Sequence, residues 1–95
     1  MIRVVATLKI SADNKDAAMP LFKELIDLTR KENGCIEYGL SLSLDDPTSY
    51  VIIENWDTKA DLDAHSASEH FGRLIPQLGD LASEEIGVAV FEELI

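Results

Sequence analysis

The fold of this chain is decided by residues 50–71, which read YVIIENWDTKADLDAHSASEHF. Residues 50–56 are mostly β-branched or aromatic, a composition typical of a β-strand. Thr58 is a good helix N-cap, and a short helical pattern follows it. These features predict a strand over residues 49–56 and a helix over residues 58–65. Both histidines and most of the other residues that could do chemistry lie in this stretch, so it is also the candidate site.

A second helix is predicted directly after the first. Ser66 and Glu69 have the spacing of a capping box, which indicates a break near Ser66 and a helix over residues 66–78. Pro76 and Gly79 are expected to limit its end. Glu69 also precedes Arg73 by four residues, a favourable orientation for a helical ion pair.

The remaining elements follow from hydrophobic periodicity. Alternation over residues 2–10 predicts the first strand, and a 3.6-residue pattern predicts a helix over 16–33 that ends at Gly34. Pro20 is expected in or next to the first turn of that helix. Residues 35–44 alternate as a strand whose buried face runs from Ile36 through Tyr38 to Leu44. A turn at 45–48 makes this strand a hairpin with 49–56, and residues 85–94 form the last strand.

The order β-α-β-β-α-β predicts a ferredoxin-like α+β fold, an antiparallel sheet with its helices on one face. A length of 95 residues predicts a single domain over residues 1–95. The sheet face away from the helices would carry apolar side chains, and a second copy packed against it would cover them. A homodimer is therefore expected. The predicted outer face contains Val5, Val51, Ile53, Ala89 and Phe91.

Composition limits the partners. The chain has 18 acidic and 8 basic residues and a formal charge of −10, which argues against nucleic acid and against anionic membrane surfaces. No apolar run approaches the roughly 20 residues of a membrane span. The N-terminal sequence lacks the features of a signal peptide, and the single cysteine, Cys35, cannot form an internal disulfide. A cytoplasmic location is the resulting expectation.

Two segments resemble a known family. The sequence IENWDTKADLDAHSASEHF (53–71) has Glu-x-Trp at a strand end, then Ala-His, then His-Phe, and KENGCIEY (31–38) has Glu-x-Gly-Cys followed by Tyr. Both resemble the antibiotic biosynthesis monooxygenase superfamily. The resemblance implies a dimeric α+β barrel with a small apolar pocket between sheet and helices. Members of that superfamily include cofactor-independent monooxygenases of quinols and phenols, haem-degrading enzymes and isomerases.

His65 and Glu54 are the candidate catalytic residues. A neutral imidazole can take a proton from a phenol near pH 7, and burial raises the pKa of a carboxyl group toward that range. His65 matches the Ala-His position of the family pattern. Structural roles remain open: His65 can interact with the dipole at a helix C-terminus, and Glu54 can hold a backbone amide.

Five further residues are candidates for substrate binding. Each has a structural alternative, such as core packing for Trp56 and Phe71. His65 and His70 are five positions apart, about 140° on a continuous helix, so they share a side only if the helix breaks at Ser66. No third ligand is evident, and no metal site is predicted. The five candidates are Trp56, Asn55, His70, Phe71 and Tyr38.

The function predicted from these observations is a cofactor-independent monooxygenase that oxidises a small quinol or phenolic substrate with O2. The sequence has neither a G-x-G-x-x-G motif nor a metal-ligand pattern, so no cofactor is expected. The alternatives are an isomerase of a small oxo metabolite and a non-enzymatic dimeric module that binds a small molecule. Haem degradation is disfavoured, because residues 72–75 hold no histidine where haem-degrading relatives place their axial ligand.

Overall fold

Four strands and three α-helices make up the protein in a computed structural model that describes all residues, 1–95. The elements are β1 Ile2–Lys9, α1 Lys15–Thr29, β2 Cys35–Leu42, β3 Ser49–Trp56, α2 Lys59–Ser66, α3 Glu69–Leu81 and β4 Gly87–Glu92. The strands form one antiparallel sheet in the order β2-β3-β1-β4, with the helices packed against one face. This arrangement confirms the predicted α+β ferredoxin-like fold and the β2–β3 hairpin. No helix has both the length and the apolar character needed to cross a membrane.

The core lies between the inner sheet face and the helices. Alternate residues of β1 and β3 point inward, and α1 and α3 contribute their apolar faces. Removing each large side chain from water stabilises the fold by about 1.5–3 kcal/mol. The buried apolar residues are Val4, Ala6, Leu8, Ile10, Ala18, Phe22, Leu25, Tyr38, Tyr50, Ile52, Trp56, Leu62, Leu74 and Leu78.

Helix α1 ends at Thr29, four residues earlier than predicted. The amides of Lys31 and Glu32 bond to Leu28 and Thr29, an i to i+3 pattern that tightens and closes the last turn. Gly34 follows with a φ of 78°, the left-handed conformation that glycine adopts without strain. This early end matters for the candidate site, because it leaves Glu32 in the turn and not in the helix.

Strand β2 corrects the predicted alternation. Cys35 pairs with Trp56 but Glu37 pairs with Asn55, so Ile36 is the extra residue of a β-bulge. Ile36 is 58% exposed, whereas Cys35 packs against the core. The strand also ends at Leu42 and not at residue 44. Leu42 and Leu44, both predicted to be buried, lie exposed towards the turn.

The junction of α2 and α3 also differs from the prediction. The α3 cap is Ser68, whose extended backbone lets its hydroxyl accept from the amide of Phe71. Ser66 is the last residue of α2, and its hydroxyl donates to the Leu62 carbonyl. The predicted Glu69–Arg73 ion pair is present.

Proline interrupts neither long helix. Pro76 and Gly79 lie inside α3, which continues to Leu81, and Pro20 lies inside α1 beyond its first turn. Both prolines are on the exposed side of their helices. The carbonyls they leave without a helical partner belong to Asp16 and Gly72, which are also exposed and can bond to water.

The outer sheet face carries apolar side chains and no helix, as predicted. Val5 and Val51 are half-buried, Ile53 is partly exposed and Phe91 is 53% exposed. β4 is shorter than the predicted 85–94 and forms the sheet edge beside β1. Its inward residues, Val88 and Val90, are exposed because the helices do not extend over this edge.

Substitution in the helix–sheet core tests this packing. We expect Leu25→Ala to lower the free energy of unfolding by about 2–5 kcal/mol, because it deletes a fully buried side chain and leaves a cavity. Leu44→Ala is the matched control, since that side chain is fully exposed and its loss should change stability by no more than about 0.5 kcal/mol. Urea denaturation measures both. Equal effects would contradict the described core.

Candidate active site

A cavity of about 130 Å³ lies between the inner sheet face and helices α2 and α3. Its walls are mostly apolar, and its ionisable lining residues are Glu54, His65 and Tyr38. Val88 and Val90 line it from the exposed edge strand, so the cavity borders solvent on the β4 side. A larger depression of about 570 Å³ runs along β2, but it is shallow and open. The smaller cavity is the one lined by the candidate acid–base residues.

His65 is buried at the end of α2, with 1% of its surface exposed. Its Nδ1 lies 2.6 Å from Oε2 of Glu32, and its Nε2 is buried with no hydrogen-bond partner in the protein. The ring stacks at a tilt on Trp56, with centroids 4.8 Å apart, and meets the edges or faces of Tyr38 and Phe71. These aromatic contacts fix the orientation of the imidazole.

Burial lowers the pKa of His65, and the hydrogen bond and charge of Glu32 oppose the shift only in part. The ring is therefore neutral at pH 7. A neutral imidazole has one protonated and one bare nitrogen. His65 lies in the last turn of α2, where the dipole favours a cation. Its burial and lowered pKa do not fit that structural role.

Glu32 is a residue of this site that the acid–base assignment missed. Its Oε2 accepts from His65 Nδ1 and also lies 3.0 Å from His70 Nε2. The early end of α1 places it beside the α2–α3 junction. A signal was present in the sequence, because Glu32 is the glutamate of the Glu-x-Gly-Cys passage.

His65 and His70 are neighbours because the chain breaks between their helices. Their ring centroids are 6.1 Å apart, and α2 ends before the Ser68 cap. The two histidines lie on the same side because the helix breaks between them, as the sequence analysis required. The break falls after Ser66 and not at it. His70 is mostly buried at the start of α3.

Glu32, His65 and His70 bring three potential metal-ligand atoms within 4.8 Å of one another, a grouping that the sequence prediction of no third ligand overlooked. A histidine that binds a metal normally donates its other ring N–H to an acceptor. With a metal on Nδ1, the buried Nε2 of His65 would carry a proton and have no acceptor. The surroundings of His65 therefore fit a metal poorly.

Glu54 points inward from β3 and is 5% exposed. Its Oε1 accepts a 2.9 Å hydrogen bond from Nε1 of Trp56. Burial raises the pKa of the Glu54 carboxyl, and the Trp56 hydrogen bond opposes part of that rise. The predicted inward orientation of Glu54 and Trp56 is confirmed.

The other candidates lie in three different places. Tyr38 and Phe71 line the cavity, and burial raises the pKa of the Tyr38 hydroxyl so that it stays protonated. Trp56 is fully buried behind the cavity wall, where it supports His65 and Glu54. Asn55 points to the opposite sheet face and donates to Glu37. Of the predicted binding residues, Trp56, His70 and Asn55 thus do not line the cavity, and Asn55 lies on the opposite face of the sheet.

The fold and the cavity define a class: small ferredoxin-like proteins with an apolar ligand-sized cavity that holds an acid–base pair. The model of the family described as antibiotic biosynthesis monooxygenase matches residues 1–77. The chain belongs to this family.

Solved structures similar to this chain support the family assignment. A crystal structure described as an antibiotic biosynthesis monooxygenase is 35% identical, with a TM-score of 0.93 and full coverage of both chains. A conserved protein from Methanosarcina mazei is 33% identical, with a TM-score of 0.95 over 98% of this chain and 92% of that one.

Named relatives indicate the type of activity. A Mycobacterium tuberculosis protein whose name gives monooxygenase as its proposed activity is 30% identical over 98% of this chain and 91% of its own length. An uncharacterised Synechocystis protein is 25% identical over 96% of this chain, but the match spans only 62% of that relative. The family and its named members support a monooxygenase-type function.

Replacing Trp56 tests the electrostatics of the cavity wall. In Trp56→Phe we expect the pKa of Glu54 to rise further, because the N–H that stabilises its ionised form is removed. The titration of the Glu54 carboxyl carbon by NMR measures this. Tyr50→Phe is the control, since the Tyr50 hydroxyl is buried without a partner and its loss should leave Glu54 unchanged. A lowered or unchanged pKa in Trp56→Phe would contradict the assignment.

Proposed function

We propose that this protein is a monooxygenase that oxidises a small, neutral quinol or phenol with O2, with His65 as the general base. The observation that carries the proposal is the Nε2 of His65, which is buried, unpartnered and borne by a residue that lines an apolar cavity. A bare buried nitrogen of this kind gains a hydrogen bond when a ligand hydroxyl meets it. Family membership supports the reaction type.

The chemistry needs no reductant beyond the substrate. His65 takes a hydroxyl proton, and the electron-rich ring carbon of the anion forms a bond to O2. The proton returns to the resulting peroxide. The oxygenated ring carbon then loses its hydrogen as the O–O bond breaks, so a C=O bond forms and water leaves. A hydroquinone plus O2 thus gives a hydroxyquinone plus water, so atoms and electrons balance. The cavity contributes positioning and exclusion of water from the anion.

Glu54 is the second candidate for proton transfer. Its burial raises the pKa of the carboxyl group, so it is better suited to exchange a proton than an exposed glutamate. Its hydrogen bond to Trp56 holds one oxygen in place beside the cavity. In the proposed enzyme Tyr38 and Phe71 contact the substrate ring, and His70 lies behind His65.

Oxygen uptake tests the proposal. A panel of hydroquinones and phenols is incubated with wild type, His65→Asn and the exposed-site control Lys23→Ala, against an autoxidation blank. Asparagine can still donate to Glu32 but has no group in place of Nε2. We expect uptake to fall by roughly 10²–10⁴-fold in His65→Asn, the usual contribution of a general base, and to be unchanged in Lys23→Ala.

Two other outcomes of this experiment would identify a different function. Rearranged product formed at an undiminished rate under argon would identify an isomerase. Ligand bound without turnover, under air and under argon, would identify a binding module. Either result would overturn the oxygenase proposal.

The burial of His65 determines the expected pH dependence of kcat/KM. His65 must be unprotonated to act, and its pKa lies below its ordinary value of 6.5. We therefore expect activity to persist below pH 6.5 and to be lost only at lower pH, as His65 becomes protonated. Initial rates across a pH series measure this. An acid limb centred at or above pH 6.5 would contradict a buried neutral base.

We also propose that the protein acts as a homodimer whose interface is the outer sheet face. Ile53 and Phe91 expose apolar surface there, with Val5 between their strands. We expect Ile53→Glu to convert a dimer to a monomer in light scattering, because it would bury a charge in the interface. Leu44→Glu, in the exposed turn, should leave the mass unchanged. A wild-type monomer at micromolar concentration would refute the proposal.

A further inference from the structure

Two imidazoles meet one carboxylate oxygen beside the cavity. Oε2 of Glu32 lies 2.6 Å from Nδ1 of His65 and 3.0 Å from Nε2 of His70. The three residues come from the turn after α1, from α2 and from α3. All are largely buried, with side-chain exposures of 17% for Glu32, 1% for His65 and 15% for His70.

The hydrogen-bond directions in this cluster follow from donor counting. A carboxylate oxygen accepts hydrogen bonds, and Oε2 of Glu32 lies within hydrogen-bond distance of both rings, so each ring is assigned an N–H directed at it. Ser68 supports the assignment for His70: its hydroxyl donates to the His65 carbonyl at 2.7 Å, so it can only accept from His70 Nε2 at 3.3 Å. His70 therefore carries its proton on Nε2, and His65 carries its proton on Nδ1.

We propose that Glu32 is a positioning residue that holds His65 as the Nδ1–H tautomer, with His70 anchoring Glu32 through the same oxygen. In this tautomer the unpartnered Nε2 is a bare acceptor. The kinetic part of the inference rests on the proposed function, since Glu32 would also stabilise the imidazolium formed when Nε2 takes a proton.

The tautomer can be measured without substrate. Two-bond ¹H–¹⁵N correlation spectra of the labelled full-length protein distinguish protonated from bare ring nitrogens. We expect wild-type His65 to have a protonated Nδ1 and a bare Nε2. In Glu32→Gln the amide can donate to Nδ1, so we expect the Nδ1–H form to be lost or mixed. Glu85→Gln makes the same charge change at an exposed site outside the cluster and should leave His65 unchanged.

The second measurement is the rate of turnover of the Glu32 variants. We expect Glu32→Gln to lower kcat by up to about 10⁴-fold with little change in KM, because a base held in the wrong tautomer cannot take the proton. Glu32→Asp keeps a carboxylate and should restore part of both the Nδ1–H signal and the rate. Dispersed backbone amide spectra confirm that each variant is folded.

The outcomes separate the two proposals. A wild-type His65 protonated on Nε2 would overturn the positioning role of Glu32 even if the protein consumes oxygen. An unchanged tautomer in a folded Glu32→Gln variant would do the same. The expected tautomer without oxygen uptake would uphold the positioning role and reject the oxygenase.

Discussion

The hydrogen bond between His65 and Glu32 is the interaction on which the candidate site depends. A buried imidazole without a partner costs free energy, and this contact supplies one at Nδ1 only. It links the turn after α1 to the end of α2, and the hydrogen bond between His70 and Glu32 links the same turn to α3. The three helices that cover the sheet are thus joined at the point where the cavity forms.

The same apolar surroundings act on both acid–base residues, with opposite signs. Burial disfavours the charged form of each group, so the pKa of His65 falls and the pKa of Glu54 rises. Burial therefore moves the pKa values of these two groups towards each other. No lysine or arginine lines the cavity, and the chain has a charge of −10. A neutral ligand fits this environment better than an anionic one.

The sequence predicted the elements whose signals are local. β3 has the predicted bounds because alternation and composition agree over its whole length, and Thr58 caps α2 by accepting from the amide of Asp61 as its residue type suggests. Of the candidate site, the inward direction of Glu54 and Trp56 and the outward direction of Asn55 follow from strand alternation alone.

The missed features depend on tertiary structure. One extra residue at Ile36 reverses the pattern upstream of Tyr38, and periodicity alone does not reveal a bulge. Two serines near the α2–α3 junction could each cap a helix, and packing selects Ser68. Glu32 is 33 residues from His65 along the chain, so its partnership required the fold. The burial of Nε2 without a partner is likewise visible only in three dimensions.

The central claim is that His65 presents a bare Nε2 to a ligand in the cavity. The most direct test is to titrate the ¹⁵N-labelled protein with hydroquinone under argon, where no turnover with oxygen occurs, and to follow the side-chain nitrogens of both histidines. The account predicts that the Nε2 resonance of His65 moves with saturation as it accepts the ligand hydroxyl, while His70 keeps its Nε2 proton. Saturable binding that leaves the Nε2 of His65 unperturbed would contradict the account.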